Sequence, residues 1–291
     1  SGFSPRAEKF LSTKFADYGL LVSSGASGGT NPALNNATVS AAAKEIKAGA
    51  AASVLLSSGD FTSAGTGTVT ARFGNKVIAF GHPMMSAGAV EFPLSTAYVH
   101  KVIPSLSVSF KLASPVTEVG TLTADRPWSV GGQIGKTPKM IPVTFSVVDE
   151  VRKIKRTFNC KVVDHPQMTP ALLAATTMSA IDATHQFSGP YVAKVNSVVE
   201  AEGIEPIVRQ DCFGSNITPH SIFEQLFAMM AGDPIAAYVH RTANSIVDND
   251  YQKASLKSFK LKITLQDGRE TANIDKVYVE KAYAAPGEQV K

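Results

Sequence analysis

Short runs of alternating apolar and polar residues fill the chain from residue 51 to about residue 163, and Gly and Pro separate them. Alternation with a period of two places apolar side chains on one face of a strand, while Gly and Pro mark the turns between strands. The pattern therefore predicts an all-β unit. Besides a hairpin described next, its expected strands are residues 53–57, 105–112, 120–123, 141–148 and 156–163.

A β-hairpin is the clearest local prediction in this region. Gly74-Asn75 separates two strand-like runs, and such a pair favours a two-residue turn. Pairing of Phe73 with Lys76 then places Val69 opposite Phe80, with both side chains on the same face of the hairpin.

His82 lies just beyond the hairpin and continues the parity of Ile78 and Phe80. Because Pro83 cannot donate a backbone hydrogen bond to a sheet, we expect the strand to end near Gly81. The histidine is thereby predicted to stand at the rim of the sheet, where an imidazole is available for proton transfer.

Three helices are expected, and each starts at a Ser-Pro or Thr-Pro pair. Ser and Thr accept hydrogen bonds from the exposed amides of a first turn, and Pro is tolerated at the first helical position. The pairs are Ser4-Pro5 before residues 6–15, Thr169-Pro170, and Thr218-Pro219 before a helix that should end at Gly232.

The remaining patterns divide the chain into three parts. Residues 23–38 are rich in Gly, Ser and Asn and have no apolar period, so we expect a mobile loop there. We expect a mainly β protein with an N-terminal helix and flexible linker (1–45), a first β unit (46–186) and a second, sandwich-like β-rich unit (187–291). The strands expected in the second unit are residues 191–199, 236–244, 256–265 and 274–283.

Composition limits the classes of function. The 291 residues include 44% hydrophobic and 18% charged residues, which suits a folded core and is not typical of disorder. The net charge of +4 comes from basic residues that are scattered along the sequence, so we expect no nucleic-acid partner. No apolar run approaches the roughly 20 residues of a membrane-spanning helix, so we expect no membrane span.

Metal, nucleotide and redox sites are not indicated. The histidines lack the H-x-x-x-H or H-E-x-x-H spacing of metal sites, and the glycines near residue 65 precede a strand instead of a phosphate-binding helix. Cys160 and Cys212 lack C-x-x-C spacing, and both a single disulfide and two free thiols stay open. We expect no metal and no cofactor.

Two motifs flank the hairpin, namely Gly65-Thr66-Gly67-Thr68-Val69-Thr70 and Ala79-Phe80-Gly81-His82-Pro83. They resemble the SpoIVB-type sporulation peptidase family, in which a G-x-G-T-[LV]-T strand leads to a Gly-His pair. Residues 118–126 and 130–135 look like the same family's IG-x-I-x-x-[DN] and GI-x-G-x-L stretches. Over residues 59–143 the chain is most similar to the peptidase-like segment of long exported bacterial proteins.

The resemblance implies a trypsin-like serine peptidase with a β-barrel fold over residues 46–186, a Ser/His/Asp triad and a protein or peptide substrate. In such a triad the imidazole takes the proton of the serine hydroxyl, and a carboxylate orients the imidazole. The resemblance makes His82 the general base. The family's G-M-S-G-S-P nucleophile motif is absent, and the candidates left are Ser179 as nucleophile and Asp164 as carboxylate.

Each candidate also has a structural interpretation. Ser179 falls inside an expected helix, where it would be an ordinary small residue. Asp164 fits a turn before Pro166, and Asp125-Arg126 fits either an ion pair or a carboxylate that supports His82.

We therefore expect a serine-peptidase-like module of an exported bacterial protein that is secreted, periplasmic or at the cell surface. Its nucleophile is either Ser179 or a serine in the upstream part of its own precursor. The alternative is a non-catalytic structural or assembly module on the cell exterior that keeps the peptidase-like fold. Unpaired strand edges would allow such a module to self-associate.

Overall fold

The computed structural model describes residues 1–18, 20, 22, 41–106, 109–185, 191–214, 233–249, 251, 254–268, 276, 278, 283 and 285. Within these residues the protein is mainly β, as expected. The loop expected at residues 23–38 and the helix expected to end at Gly232 lie outside them, as does most of the strand expected at residues 274–283. None of the helices in the described ranges is long and apolar enough to cross a membrane.

Eleven strands and three α-helices account for most of the described residues. The strands are β1 (Ala51–Gly59), β2 (Ser63–Phe73), β3 (Lys76–Ala79), β4 (Gly88–Ile103), β5 (Phe110–Arg126), β6 (Ser129–Ile134), β7 (Met140–Asp149), β8 (Ile154–Val163), β9 (Tyr191–Ala201), β10 (Ile207–Gly214) and β11 (Leu256–Asp267). The helices are α1 (Pro5–Phe15), α2 (Thr169–Thr184) and α3 (Pro234–Val247), and a short 3-10 helix (Ala16–Tyr18) follows α1.

The strands form one sheet in the order β10-β9-β11-β7-β8-β1-β2-β3-β6-β5-β4, and β4 also pairs with β1. The extra pairing closes β1 to β6 into a six-stranded antiparallel ring. β1 takes part in both halves of the sheet because its first residues pair with β4, as Val54 does with Leu94, while its last residues pair with β8, as Ser57 does with Val162. Strands β8, β7, β11, β9 and β10 continue as an open sheet.

Helices α2 and α3 cover one face of the open sheet. Alternate residues of β7, β9 and β11 share a buried core with both helices, and the Ser197 hydroxyl of β9 lies 2.7 Å from the Tyr238 hydroxyl of α3. Helix α2 begins at Thr169, which confirms the helix expected at Thr169-Pro170, and it is buried on nearly all sides. Thr169 does not cap it, since its hydroxyl donates to the carbonyl of Val163 instead.

Helix α1 forms as its sequence predicts. The Ser4 hydroxyl accepts a hydrogen bond from the amide of Ala7, and Pro5 occupies the first turn. Ala7, Leu11 and Phe15 recur at helical spacing and are buried against the core. Capping and amphipathic burial together explain this helix.

Two strand predictions are wrong. Residues 236–244 belong to helix α3, because Asp233 accepts hydrogen bonds from the amides of Ile235 and Ala236 and Pro234 fits the first turn. This capping pair identifies a helix start, whereas the apolar run after it suggested a strand. The expected strand 105–112 overlaps β5 only from Phe110, since β4 ends at Ile103.

The predicted hairpin forms, but its register changes after the first three residue pairs from the turn. Phe73 pairs with Lys76 as expected, whereas Val69 pairs with Ala79 and not with Phe80, because a β-bulge lies between Val69 and Ala71. The bulge reverses the expected parity. Val69 and Ala79 are buried, whereas Ile78, which was expected on the same face as Val69, is 38% exposed.

The division into three parts stays a prediction. Strand β7, before the expected boundary at residue 187, pairs in parallel with β11, after it, so the sheet is continuous across that position. Leu261 of β11, for example, pairs with Phe145 of β7.

Candidate active site

The loop that follows β3 has an unusual backbone. Phe80 has φ +75° and Ser86 has φ +58°, in the left-handed region that residues with a side chain rarely adopt, and Gly81 and Gly88 are also left-handed. Non-glycine residues in this region are held there by their surroundings, and such positions cluster at functional sites. This loop contains His82.

Asp125 holds the loop in place. Its side chain is almost fully buried, and its two oxygens accept hydrogen bonds from three backbone amides, those of Met84 (2.8 Å), Met85 (2.7 Å) and Ala87 (3.1 Å). The ion pair expected between Asp125 and its neighbour Arg126 does not form among the described residues. The other expected role of Asp125, a carboxylate that supports His82, is met only through the backbone of the loop, since its oxygens bind these amides and not the imidazole. No spacing in the sequence indicated the contacts, because the amides lie about forty residues upstream of the carboxylate.

His82 is exposed, and its ring is oriented by the loop itself. Nδ1 lies 2.7 Å from the carbonyl oxygen of Pro83, and the Phe80 ring lies 5.9 Å from the imidazole. A carbonyl oxygen can only accept a hydrogen bond, so Nδ1 carries the proton and Nε2 of the neutral ring carries the lone pair. A general base requires this tautomer when it acts through Nε2.

A cavity of about 490 Å³ lies beside His82. Its walls combine apolar side chains with a few polar ones, and none of the described residues that line it is a lysine, arginine, aspartate or glutamate. The lining residues are Tyr18, Leu20, Gly65, Thr66, Phe80, His82, Pro83, Met84, Met85 and Ser86. An uncharged, largely apolar group suits this cavity.

Ser179 lies in the middle of helix α2 and is 1% exposed. Its hydroxyl donates to the carbonyl of Ala175 (2.9 Å) and accepts from the amide of Ser4 (3.1 Å). Both contacts are structural, since the first is a bond within the helix and the second attaches the start of α1 to α2.

Asp164 follows β8 and takes part in a surface network. Its carboxylate accepts a hydrogen bond from the Ser255 hydroxyl, and Lys139 Nζ lies 3.3 Å away. A hydrogen bond to Glu202, and then the contacts with Asp164, raise the pKa of Lys139. The network connects the end of β8 with the segment before β11.

Among the described residues, no hydrogen bond joins any two of His82, Ser179 and Asp164. The catalytic roles of Ser179 and Asp164 therefore stay predictions. Contacts that the sequence did not reveal surround the loop of His82, above all those of Asp125.

Two further histidines have defined environments. Burial lowers the pKa of His165, against the opposing effect of nearby carboxylates, and its buried Nδ1 has no hydrogen-bond partner in the described structure. His185 Nδ1 lies 2.6 Å from the buried carboxylate of Asp149, a His–Asp pair that sequence spacing did not indicate. Burial by itself raises the pKa of Asp149, but hydrogen bonds from the Arg152 amide and from His185 outweigh it and leave the pKa below its usual value.

The cysteines are not bonded to each other. Cys160 is buried and Cys212 is exposed, and both are free thiols. Burial, with a smaller effect of Asp60, raises the pKa of the Cys160 thiol to about 12, so this residue is not a nucleophile at neutral pH.

In the described parts of the chain, His, Cys, Asp and Glu do not form a group of three that could hold a metal ion.

Comparison of the chain with protein-family models, curated proteins and solved structures found no match. The likeness to the sporulation peptidases therefore remains an expectation from the motifs around the hairpin. The candidate site depends on its own geometry, which is a histidine of defined tautomer on a loop anchored by Asp125 beside an uncharged cavity.

Proposed function

We propose that this chain is a serine-peptidase-like module of an exported bacterial protein, with His82 as its general base and a protein or peptide as its substrate. The observation that carries the proposal is the 2.7 Å contact between Nδ1 of His82 and the carbonyl of Pro83, which leaves the lone pair on Nε2. In many serine peptidases a carboxylate fixes this tautomer, and here a carbonyl serves the same purpose.

The reaction follows from that tautomer. Nε2 accepts the proton of a serine hydroxyl while the serine oxygen bonds to the carbonyl carbon of a peptide. The imidazolium then gives the proton to the leaving amine as the C–N bond breaks, and water hydrolyses the acyl-enzyme with His82 again as base. The cavity would accept an uncharged, apolar side chain next to the cleaved bond.

The nucleophile in this proposal is not Ser179. Its hydroxyl is buried within α2 and has two structural partners, so it would reach a substrate only if the helix unwound. We place the nucleophile in an upstream segment of the same precursor, as the resemblance to the long exported proteins implies.

A second candidate function is a non-catalytic structural or assembly module on the cell exterior. It is favoured by the contacts of Ser179 and Asp164, since both side chains connect structural elements. Strand β10 pairs only with β9 in the described structure, so its other edge is a place where copies of the module would associate.

Labelling with a fluorophosphonate probe separates the two candidates. We expect the complete gene product to be labelled, and His82→Ala to lower the labelling rate by about 10²-fold or more. His100→Ala is the matched control, because His100 is also exposed, contacts Ser114 of β5 and is not among the residues that line the cavity. Ser179→Ala should retain labelling.

Labelling that survives His82→Ala, or that His100→Ala abolishes equally, would contradict the role of His82. Loss of labelling in Ser179→Ala with unchanged thermal stability would contradict the upstream nucleophile. A complete gene product that is never labelled, although folded, would favour the structural candidate.

A further inference from the structure

The outer face of the open sheet, opposite helices α2 and α3, carries a group of lysines. Side chains alternate between the two faces of a strand, so register assigns each residue to a face. On β11, Leu261 and Ile263 are buried beneath the helices, and Lys260 and Lys262 point outward. The same alternation turns Lys194 of β9 and Lys155 and Lys161 of β8 outward. We call Lys155, Lys161, Lys194, Lys260 and Lys262 together the lysine face.

Strand register brings these lysines together across four strands. Lys262 pairs with Asn196 of β9 and Ser146 of β7. Lys194 pairs with Thr264 of β11, next to Lys262 on the same face. Lysines that are far apart in the sequence therefore become neighbours.

The same register gives the size of the lysine face. Lys194 and Lys155 lie in one row and are separated by three strand spacings, or about 14 Å. Along β8, Lys155 and Lys161 are six residues apart, or about 20 Å. A single small anion spans only part of this area, so the matching ligand is an extended chain with repeated negative charges.

Few acidic groups neutralise the lysine face. Glu200 lies 3.7 Å from Lys260, and Lys155, Lys194 and Lys262 form no salt bridge with any described residue. Glu118 is a neighbour of Lys161 at the margin, where burial raises the pKa of the carboxyl group. Glu150 lies at another margin of the face, where its carboxylate accepts a hydrogen bond from the side-chain amide of Gln266. The charges of Lys155, Lys194 and Lys262 are the ones available to a ligand.

Hydroxyl and amide side chains lie between the lysines. The hydroxyl and amide side chains on this face are Thr144, Ser146, Thr157, Thr264, Asn159, Asn196, Gln210 and Gln266, and valines such as Val148 and Val198 share the face with them. The hydroxyls and amides donate and accept hydrogen bonds, as sugar hydroxyls also do. None of the aromatic or arginine residues of these five strands points to this face.

We propose that the lysine face binds an acidic polysaccharide. Its lysines would pair with repeated carboxylates, and its hydroxyls and amides would bond the sugar hydroxyls between them. A single-stranded nucleic acid fits less well, since its bases stack on aromatic side chains and its phosphates favour the bidentate geometry of arginine. This site is independent of His82 and of the proposed peptidase reaction.

Titration of the chain with polygalacturonate tests the proposal. We expect binding at about 20 mM salt that weakens strongly by about 200 mM salt, because the interaction is electrostatic. The double variant Lys194→Gln, Lys262→Gln should raise Kd about tenfold and reduce the salt dependence. Lys76→Gln, Lys101→Gln is the matched control, since it removes two exposed lysines from the ring and its hairpin and should leave Kd unchanged.

Neutral dextran should not bind, and dextran binding as tight as that of polygalacturonate would overturn the electrostatic argument. An equal loss of affinity in the control variant would show that net charge, and not the lysine face, determines binding. Single-stranded poly(dT) that binds more tightly than polygalacturonate of equal charge would overturn the ligand class. Absence of polygalacturonate binding at about 20 mM salt would overturn the proposal as a whole.

Discussion

Asp125 is predicted to be the residue on which the conformation of the His82 loop depends. Asp125→Ala removes the acceptor for the amides of Met84, Met85 and Ala87. Asp125→Asn keeps the shape of the side chain but replaces one accepting oxygen with a donating NH₂ group, which faces the amide donors. Both variants leave amides without their partner.

The magnitude follows from the three contacts. A hydrogen bond to a charged group contributes about 1.5–3 kcal/mol, and less where water can replace the lost partner. Met84 is buried, whereas Met85 and Ala87 are half-buried and can be hydrated. Counting about 2 kcal/mol for the first contact and about 1 kcal/mol for each of the others, we expect Asp125→Ala to lower the free energy of unfolding by about 4 kcal/mol. Asp125→Asn retains part of the contacts and should lose about 2 kcal/mol.

Chemical denaturation followed by circular dichroism measures the free energy of unfolding, and hydrogen exchange measures the local effect. We expect the amides of Met84, Met85 and Ala87 to exchange faster in both variants. Arg126→Ala is the control, because the neighbouring side chain is exposed and should change stability by less than about 0.5 kcal/mol. If Asp125→Ala proved as stable as Arg126→Ala and the loop amides kept their protection, the anchoring role would be refuted.

Two further predictions concern packing and pH. Gly67→Ala would place a Cβ atom 2.1 Å from the ring of Phe80, so we expect a loss of about 1–3 kcal/mol in the free energy of unfolding by denaturation. Burial lowers the pKa of His165 below that of the unfolded chain, so the unfolded state binds more protons and stability falls as pH drops below about 6.5. His165→Gln should flatten the decrease in the free energy of unfolding between about pH 7.5 and 5, measured by denaturation at each pH. For one group that decrease is at most about 1.4 kcal/mol per pH unit.

Matched substitutions check both predictions. Gly131→Ala places its Cβ at an ordinary 3.7 Å from the Ala124 side chain and should be nearly neutral, so an equal loss at Gly131 would contradict the clash with Phe80. His100→Gln changes an exposed histidine and should leave the pH dependence as it is. An unchanged slope in His165→Gln would contradict the assignment to His165.

Local signals were sufficient where neighbours in the sequence determine the structure. Helix α1 follows from the Ser4 cap, Pro5 and its apolar spacing, and the turn of the hairpin follows from Gly74-Asn75. Asp233 before Pro234 was an equally local signal for helix α3, and an interpretation based on apolar residues alone missed it. Caps and turns act over three or four residues, which is why a sequence can reveal them.

The candidate site was predicted only in part. The sequence singled out His82, but the bulge between Val69 and Ala71 changed the parity on which its orientation had been predicted. Asp125 contacts amides that lie about forty residues upstream, and no spacing rule connects them. Pairing of β5 with β4 and β6 brings these segments together, and such pairing depends on the whole sheet.

The sequence by itself determined that this protein is mainly β, where α1 begins, and that a histidine follows the hairpin. Only the tertiary structure decided the closure of β1 to β6 into a ring, the anchoring of the His82 loop and the gathering of scattered lysines such as Lys155, Lys194 and Lys262 on one face. The physical reason is range. Capping and turn formation involve adjacent residues, whereas the face and the neighbours of a strand residue are fixed by register with strands far away in the chain.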